Sequence, residues 1–329
     1  MFFSLLKSGV AFFVWKIKII FNFTSKFQIM NKSKALLFLF CLFLCVSCTP
    51  KKSDKKIITV TIEPQRYFTE QLVDCLGPNA VSLFEVSTMV SSGMSPETYD
   101  PTPVQMAKLA DSEAYFRIGR IGFELVWMDK IKSNNPELKI FDNSEGIQFI
   151  SSEEDKDEHK DCSHESHAHS GLDPHIWSSP KQAVILAENT CNALIALDAE
   201  NEEIYCENLA KLQSKIAATD SIVTALLNRS ENKSFIIYHP ALTYLARDYG
   251  LTQYCIEIDG KEPAPDQLRQ LIELAREKNI KTIFIQQEFD KKNAEIIAKE
   301  TNCRLVIIDP LSYNWNEEMI KIAEALSHE

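Results

Sequence analysis

The chain has 329 residues, 45% apolar and 25% charged, with 46 acidic against 35 basic side chains and a formal net charge of -11. That apolar share can bury a sizeable core, which excludes a disordered chain, and the length suits two lobes rather than one core. The acidic balance excludes nucleic acid or an anionic membrane surface as the main partner and suits a cationic ligand.

From Met30 the sequence MNKSKALLFLFCLFLCVSCTP opens with Lys32 and Lys34, runs apolar from Ala35 to Val46 and places the small Ser47 before Cys48. That order is a bacterial lipoprotein signal, so cleavage before Cys48 and acylation of its thiol are expected, leaving an exported, lipid-anchored protein on the envelope face of a membrane. The apolar run is short for a membrane span, and no second hydrophobic segment follows it. Residues before Met30, with Lys7, Lys16, Lys18 and Lys26 among aromatics, read as sequence upstream of the true start. Residues 1–47 are therefore set aside, and 48–56 are taken as a polar, lipidated tether. Beyond Cys48, the thiols Cys75, Cys162, Cys191, Cys206, Cys255 and Cys303 form no CxxC pair and no disulfide framework. Buried, reduced thiols are the expectation, with Cys191 and Cys206 able to bridge a helical hairpin.

Strand and helix then alternate. Ile57 to Ile62 reads as a strand ending at Glu63-Pro64, followed by a helix through Tyr67, Phe68, Leu72 and Val73. Ala80 to Val86 reads as a strand and Thr102-Pro103 as a helix start. Ala114 to Ile118, Phe123 to Ile131 and Leu138 to Phe141 continue as strand, helix, strand. After Ser179-Pro180 come a helix from Lys181 to Leu197 and a long one from Ile204 to Leu227, which acts as a strut. Alternation resumes with strands Ser234 to Tyr238, Tyr254 to Ile258, Thr282 to Gln286 and Arg304 to Ile308. Helices fall near Leu242 to Asp248, Pro265 to Lys278 and Lys291 to Thr301, and a final helix closes the chain. This predicts two parallel-sheet α/β lobes, 57–200 and 231–329, joined by a rigid linking helix over 201–230.

Five of the seven histidines fall between Glu153 and Trp177. His159, His164, His167 and His169 alternate with Asp, Glu, Ser and Cys162 without hydrophobic period, as in a solvated loop over 153–172 that collects divalent metal. His175 sits in the tighter context DPHIW, where Pro174, Ile176 and Trp177 can hold its ring in place. Because ligands of open parallel sheets bind beyond the carboxyl ends of the strands, coordinating side chains are sought there. Glu97 lies in the loop after the second strand, His239 directly follows Ile236-Ile237-Tyr238, and Asp309 directly follows Val306-Ile307-Ile308. Glu97, His175, His239 and Asp309 are the expected ligands, two from each lobe, suiting Zn²⁺, or Mn²⁺ or Fe²⁺ if a carboxylate is bidentate. Singly, each has a plainer reading: a structural histidine, a turn-forming Asp before Pro310, a helix-entry Glu after Pro96. No HExxH, GxSxG, P-loop or GxGxxG pattern is present, which disfavours a metallohydrolase.

The segments SPETYDPTPVQMAKLADSEAYFRIG, DPHIWSSP, YHPALTYLARDYGL, GKEPAPDQL and IFIQQEFDKKNAEIIAKE with VIIDPL resemble the zinc and manganese solute-binding proteins of bacterial ABC importers, over essentially the whole exported chain. The resemblance implies two α/β lobes joined by a rigid helix, a metal bound between them, and delivery to a membrane permease. With four protein ligands the site is closed, so carriage rather than enzymatic activity is expected, by a monomer. His175, His239 and Asp309 match family ligand positions. Glu97 stands where the family usually has histidine, which weakens zinc relative to manganese or iron, whereas the His-rich loop accompanies the zinc branch. Zinc is the expected cargo. Lipoproteins of this type can also serve in attachment, so a metal-dependent adhesin is the rival.

Overall fold

The structure, a computed structural model, describes residues 55–74, 83–151, 171–257 and 260–327. Cys48 and the signal segment, Cys75, Cys162, and His159, His164, His167 and His169 lie outside the described residues.

The N-terminal lobe runs β1 (Lys56–Val60), α1 (Glu63–Val73), β2 (Phe84–Thr88), α2 (Pro103–Leu109), β3 (Ser112–Arg117), α3 (Gly122–Asn134) and β4 (Lys139–Asp142). Its strands pair in the order β2-β1-β3-β4, all parallel. A short 3₁₀ turn, Ile176–Ser178, leads into α4 (Pro180–Leu197) and α5 (Glu202–Arg229). The C-terminal lobe then repeats the plan as β5 (Ser234–Ile237), α6 (Thr243–Tyr249), β6 (Thr252–Cys255), α7 (Pro265–Glu277), β7 (Thr282–Gln286), α8 (Lys292–Thr301), β8 (Arg304–Ile308) and α9 (Trp315–Ser327). Its order is β6-β5-β7-β8, again parallel. In both sheets the chain reverses its direction of strand addition between the two central strands, so each lobe has a crevice at the carboxyl ends there.

Two strands are displaced from their expected positions. β2 begins at Phe84 rather than Ala80, residues 80–82 lying outside the described set. β6 spans Thr252–Cys255 rather than Tyr254 to Ile258: Gly250, at φ 68°, ends α6 in the left-handed conformation and the chain enters the sheet almost at once.

The long helix α5 has 28 residues, about 42 Å of helix at 1.5 Å per residue. Tyr205, Asn208, Leu212, Ile216, Thr219, Val223 and Leu227 recur at spacings of three and four and form its buried stripe. That stripe packs on α1 and α4 at one end and on α9 of the other lobe. Asn208 donates to the carbonyls of Leu72 (3.0 Å) and Asp74 (2.7 Å), closing the C-terminus of α1 from the side.

One core cluster is shared by the two lobes, and a second lies within the C-terminal lobe. Alternation along β5 sends Ile236 and Tyr238 to a cluster shared with Ile283 and Ile285, while Phe235 and Ile237 face the opposite side. There they join a single apolar cluster that continues through Leu242, Tyr244, Trp315 and Met319 into the N-terminal sheet at Ile58, Val60 and Phe116. Hydrogen bonds cross the same boundary. Trp177 Nε1 donates to the Pro310 carbonyl (2.9 Å), Trp315 Nε1 donates to the Trp177 carbonyl (2.7 Å), and Tyr313 Oη donates to Glu70 (2.6 Å). Cys255 is disulfide-bonded, against the expectation of reduced thiols throughout, whereas Cys191, Cys206 and Cys303 are free.

Candidate metal centre

Glu97 belongs to the loop between β2 and α2. Thr102 caps α2 reciprocally with Gln105: Thr102 Oγ1 accepts from the Gln105 amide (3.3 Å), and Gln105 Oε1 accepts from the Thr102 amide (2.9 Å). The Gln105 side-chain amide then donates to the Met89 carbonyl (2.9 Å) and to Tyr99 Oη (2.6 Å), gathering both ends of the loop. Its middle is held against the start of α3, where the Phe123 amide donates to the Pro96 carbonyl (3.0 Å) and the Gly122 amide to Glu97 Oε2 (3.1 Å). Unpaired amides and the positive end of the helix dipole stabilise a carboxylate there. Glu97 Oε1 is buried and has no hydrogen-bond partner among the described residues.

His175 lies at the mouth of the 3₁₀ turn, its ring 5.2 Å from that of buried Trp177. Asp173 Oδ1 accepts from the His175 backbone amide (2.8 Å) and pairs with ring Nδ1 (2.9 Å). Burial alone would raise the Asp173 carboxyl, but the His175 charge and hydrogen bonds, with Thr243, leave it lowered. His239 follows β5 in the other lobe. Its Nδ1 pairs with Glu257 Oε1 at 2.6 Å, and Gln286 clasps its backbone, accepting from the amide (3.3 Å) and donating to the carbonyl (2.6 Å). Phe289 stacks on its ring at 5.6 Å. Burial alone would lower the His239 imidazole, but the hydrogen bond and charge of Glu257, with Glu97 and Asp173 beyond, leave it raised above the usual histidine value.

A carboxylate on Nδ1 fixes the proton there and turns the Nε2 lone pair outward, the arrangement metal-binding imidazoles require. The two Nε2 atoms face each other at 3.2 Å. Two nitrogens bound tetrahedrally to one ion at about 2.0–2.1 Å would stand about 3.3 Å apart. Around this pair the cleft is walled by Ser95, Pro96 and Glu97 on one side and by Gln286, Glu288, Phe289, Pro310 and Leu311 on the other.

Three of the four expected ligands, Glu97, His175 and His239, thus line one cleft, and Asp309 directly precedes two further lining residues, Pro310 and Leu311, its charge acting on the lining Glu288. Asp309 ends β8, the edge strand, one strand away from the crevice. Its Oδ1 accepts from the Leu311 amide (3.2 Å), forming the turn that carries Pro310 and Leu311 to the cleft wall. Burial and the nearby Glu318 charge raise its carboxyl. Among the described residues no group of three or more His, Cys, Asp or Glu side chains is gathered tightly enough to hold an ion outright, so the imidazole pair is the preformed part. Sequence reading missed Glu288, Asp173, Glu257 and Gln286. Glu288 follows β7, at the strand-order reversal, a position that becomes visible only once the strand order is known. Burial raises its carboxyl and the Asp309 charge adds to this, while its own amide and both histidines oppose.

The sequence profile of the family described as ZnuA, zinc-uptake complex component A, periplasmic, matches residues 58–327. The chain belongs to that family. It is 29% identical over 295 residues to the high-affinity zinc uptake system protein ZnuA of Bacillus subtilis (strain 168), covering 85% of this chain and 89% of that one. It is 28% identical over 301 residues to the zinc-binding lipoprotein AdcA of Streptococcus pneumoniae serotype 4, spanning 90% of this chain but only 58% of that protein. Among solved structures, a crystal structure of ZnuA superposes with a TM-score of 0.74 at 33% identity, over 83% of this chain and 98% of that one. As a family member the chain is an exported transport component rather than an enzyme.

Proposed function

We propose that this chain is the solute-binding component of an ABC importer, which captures Zn²⁺ between its lobes and delivers it to a membrane permease. The observation carrying this reading is the 3.2 Å approach of the His175 and His239 Nε2 atoms, each ring held at Nδ1 by a buried carboxylate. Glu97 adds a buried oxygen with no other partner among the described residues, and Asp309 or Glu288 of the C-terminal lobe completes the shell. Because α5 and the shared core tie the lobes together, loading draws the carboxylates inward by a small closure rather than a wide hinge. The loop bearing His159, His164, His167 and His169 raises the local metal supply, and a lipid on Cys48 keeps the carrier near its permease.

Manganese or iron is the second reading, favoured by one residue: Glu97, where the family usually has histidine, is a hard oxygen donor that suits those ions. Competition of ZnCl₂ against a chelator on the metal-free full chain tests the assignment. His175→Ala and His239→Ala should each weaken the tight site at least about 100-fold, since second-shell changes alone cost about 10–100-fold. Undiminished affinity in the double variant, with the fold intact by circular dichroism, would remove the cleft as the site.

A further inference from the structure

We propose that Cys191 and Cys206 are a disulfide-forming pair which, once oxidised, staples α4 to the first turns of the linking helix α5. The two helices pack against each other and are joined by the short turn at residues 198–201. Two hydrogen bonds show that they run antiparallel and fix which faces meet. Near the turn, Tyr205 Oη donates to Asp198 Oδ2 (2.7 Å); farther along, the Gln213 side-chain amide donates to Glu188 Oε1 (2.9 Å). Cys191 is three residues from Glu188 and so shares its face of α4, while Cys206 is seven residues from Gln213 and so shares its face of α5. Both thiols therefore lie on facing sides, between the two pins. Burial, and then Cys206 through its charge and a side-chain hydrogen bond, push the Cys191 thiol up to about 11, so the sulfurs are close enough to act on each other.

The two cysteines differ in access. Cys206 is exposed and Cys191 is buried, so an oxidant reaches Cys206 first. The oxidant is a disulfide donor, a class of reagent that an exported chain meets in an oxidising cell envelope. Cys206, as thiolate, attacks one donor sulfur; a mixed disulfide forms, the donor's S–S bond breaks and one donor thiol leaves. Cys191 then loses its proton and attacks Cys206 Sγ, expelling the second donor thiol. Two protein thiols become one disulfide, and one donor disulfide becomes two thiols. The bridge closes a loop in the unfolded chain and so favours the fold. It also secures the end of α5 where Asn208 closes α1.

The test treats the full chain with oxidised glutathione and maps its cysteines by mass spectrometry. Cleavage after glutamate puts Cys191 and Cys206 on different peptides, because Glu200, Glu202 and Glu203 lie between them. The expected result is that these two peptides appear joined, two hydrogens lighter than their separate thiol forms. The urea midpoint of the oxidised protein should stand about 1 M above that of Cys206→Ser treated alike, a substitution at an exposed position that leaves the helix contact in place. In Cys191→Ser the first step has no second, so glutathione should stay attached to Cys206. Glutathione on Cys206 of the unsubstituted chain, with no joined pair, overturns the inference. Equal urea midpoints for the joined protein and Cys206→Ser overturn the staple.

Discussion

At the scale of single residues, the tightest constraint on the cleft is the absence of a side chain at Gly122. A Cβ built there would lie 2.3 Å from the Glu97 carbonyl oxygen and 3.0 Å from Glu97 Oε2, and the nearest obstacle is backbone that cannot swing aside. Gly122 therefore lets the Glu97 loop press against α3, where its own amide holds the carboxylate. Gly122→Ala should push that loop away, costing about 1–3 kcal/mol by overpacking. Zinc affinity should fall about tenfold in the same variant, because the donor oxygen moves with the loop. Urea melts and chelator competition check the two effects separately, and an unchanged affinity would mean that Glu97 is no donor. Glu97, His175 and His239 were all legible along the chain, because strand ends and a Pro-constrained histidine announce themselves locally. The partners that orient them were not: Asp173 is two residues from His175, but Glu257 is eighteen from His239, and only the β5–β6 pairing brings it there.

Among the elements, the segment before His175 has the most specific consequence. Ser151 and Leu172 form an isolated antiparallel bridge, and the Asp173 amide donates to the Ile150 carbonyl (2.9 Å). The described chain thus leaves and returns at one point, three residues before a candidate ligand. Replacing residues 152–170 by a short Gly-Ser linker should lower the number of weakly bound zinc ions and leave the affinity of the tight site within about threefold, since closing a shorter loop changes the chain entropy little. Equilibrium dialysis gives the stoichiometry and chelator competition the affinity; a collapse of the tight site would place donors in the loop instead. Helix positions followed the sequence closely wherever a cap was present, as at Thr102-Pro103 and Ser179-Pro180. β6 departed from expectation because a left-handed glycine, not the apolar pattern, decides where the helix before it stops.

For the whole molecule, the buried ionisable groups set an unusual pH dependence. Burial pushes the Glu124 carboxyl up to about 7, against hydrogen bonds from Thr61, Ile118 and Gly119. His239, Glu288 and Asp309 are raised as well. A group raised in the fold holds its proton more tightly than in the unfolded chain, so its stabilisation is complete below the unfolded value and is lost as pH climbs through the folded one. Asp173, Asp248 and Glu113 are lowered, and their contributions fade only in more acidic solution. The metal-free protein should therefore lose stability from about pH 5 to pH 8, Glu124 alone contributing roughly 3 kcal/mol for a shift from 4.5 to about 7. Zinc-loaded protein should show the opposite slope, because the imidazoles must shed protons to bind the ion. Urea melts at intervals of one pH unit, with and without zinc, compare the two slopes, and Glu124→Gln should flatten that of the metal-free protein.

Local pattern was enough for much of this molecule. Hydrophobic period, proline-led helix starts and strand-end histidines are properties of short stretches, and they mark out two parallel α/β lobes, a long strut and three residues that meet in one cleft. What folding alone settled is the relation between distant stretches: the strand order that puts Glu288 beside the crevice, the apolar cluster running through both lobes, and the carboxylates that orient each imidazole. Those outcomes depend on which strands become neighbours and which side chains meet across them, and no short window of a chain contains both members of such a pair.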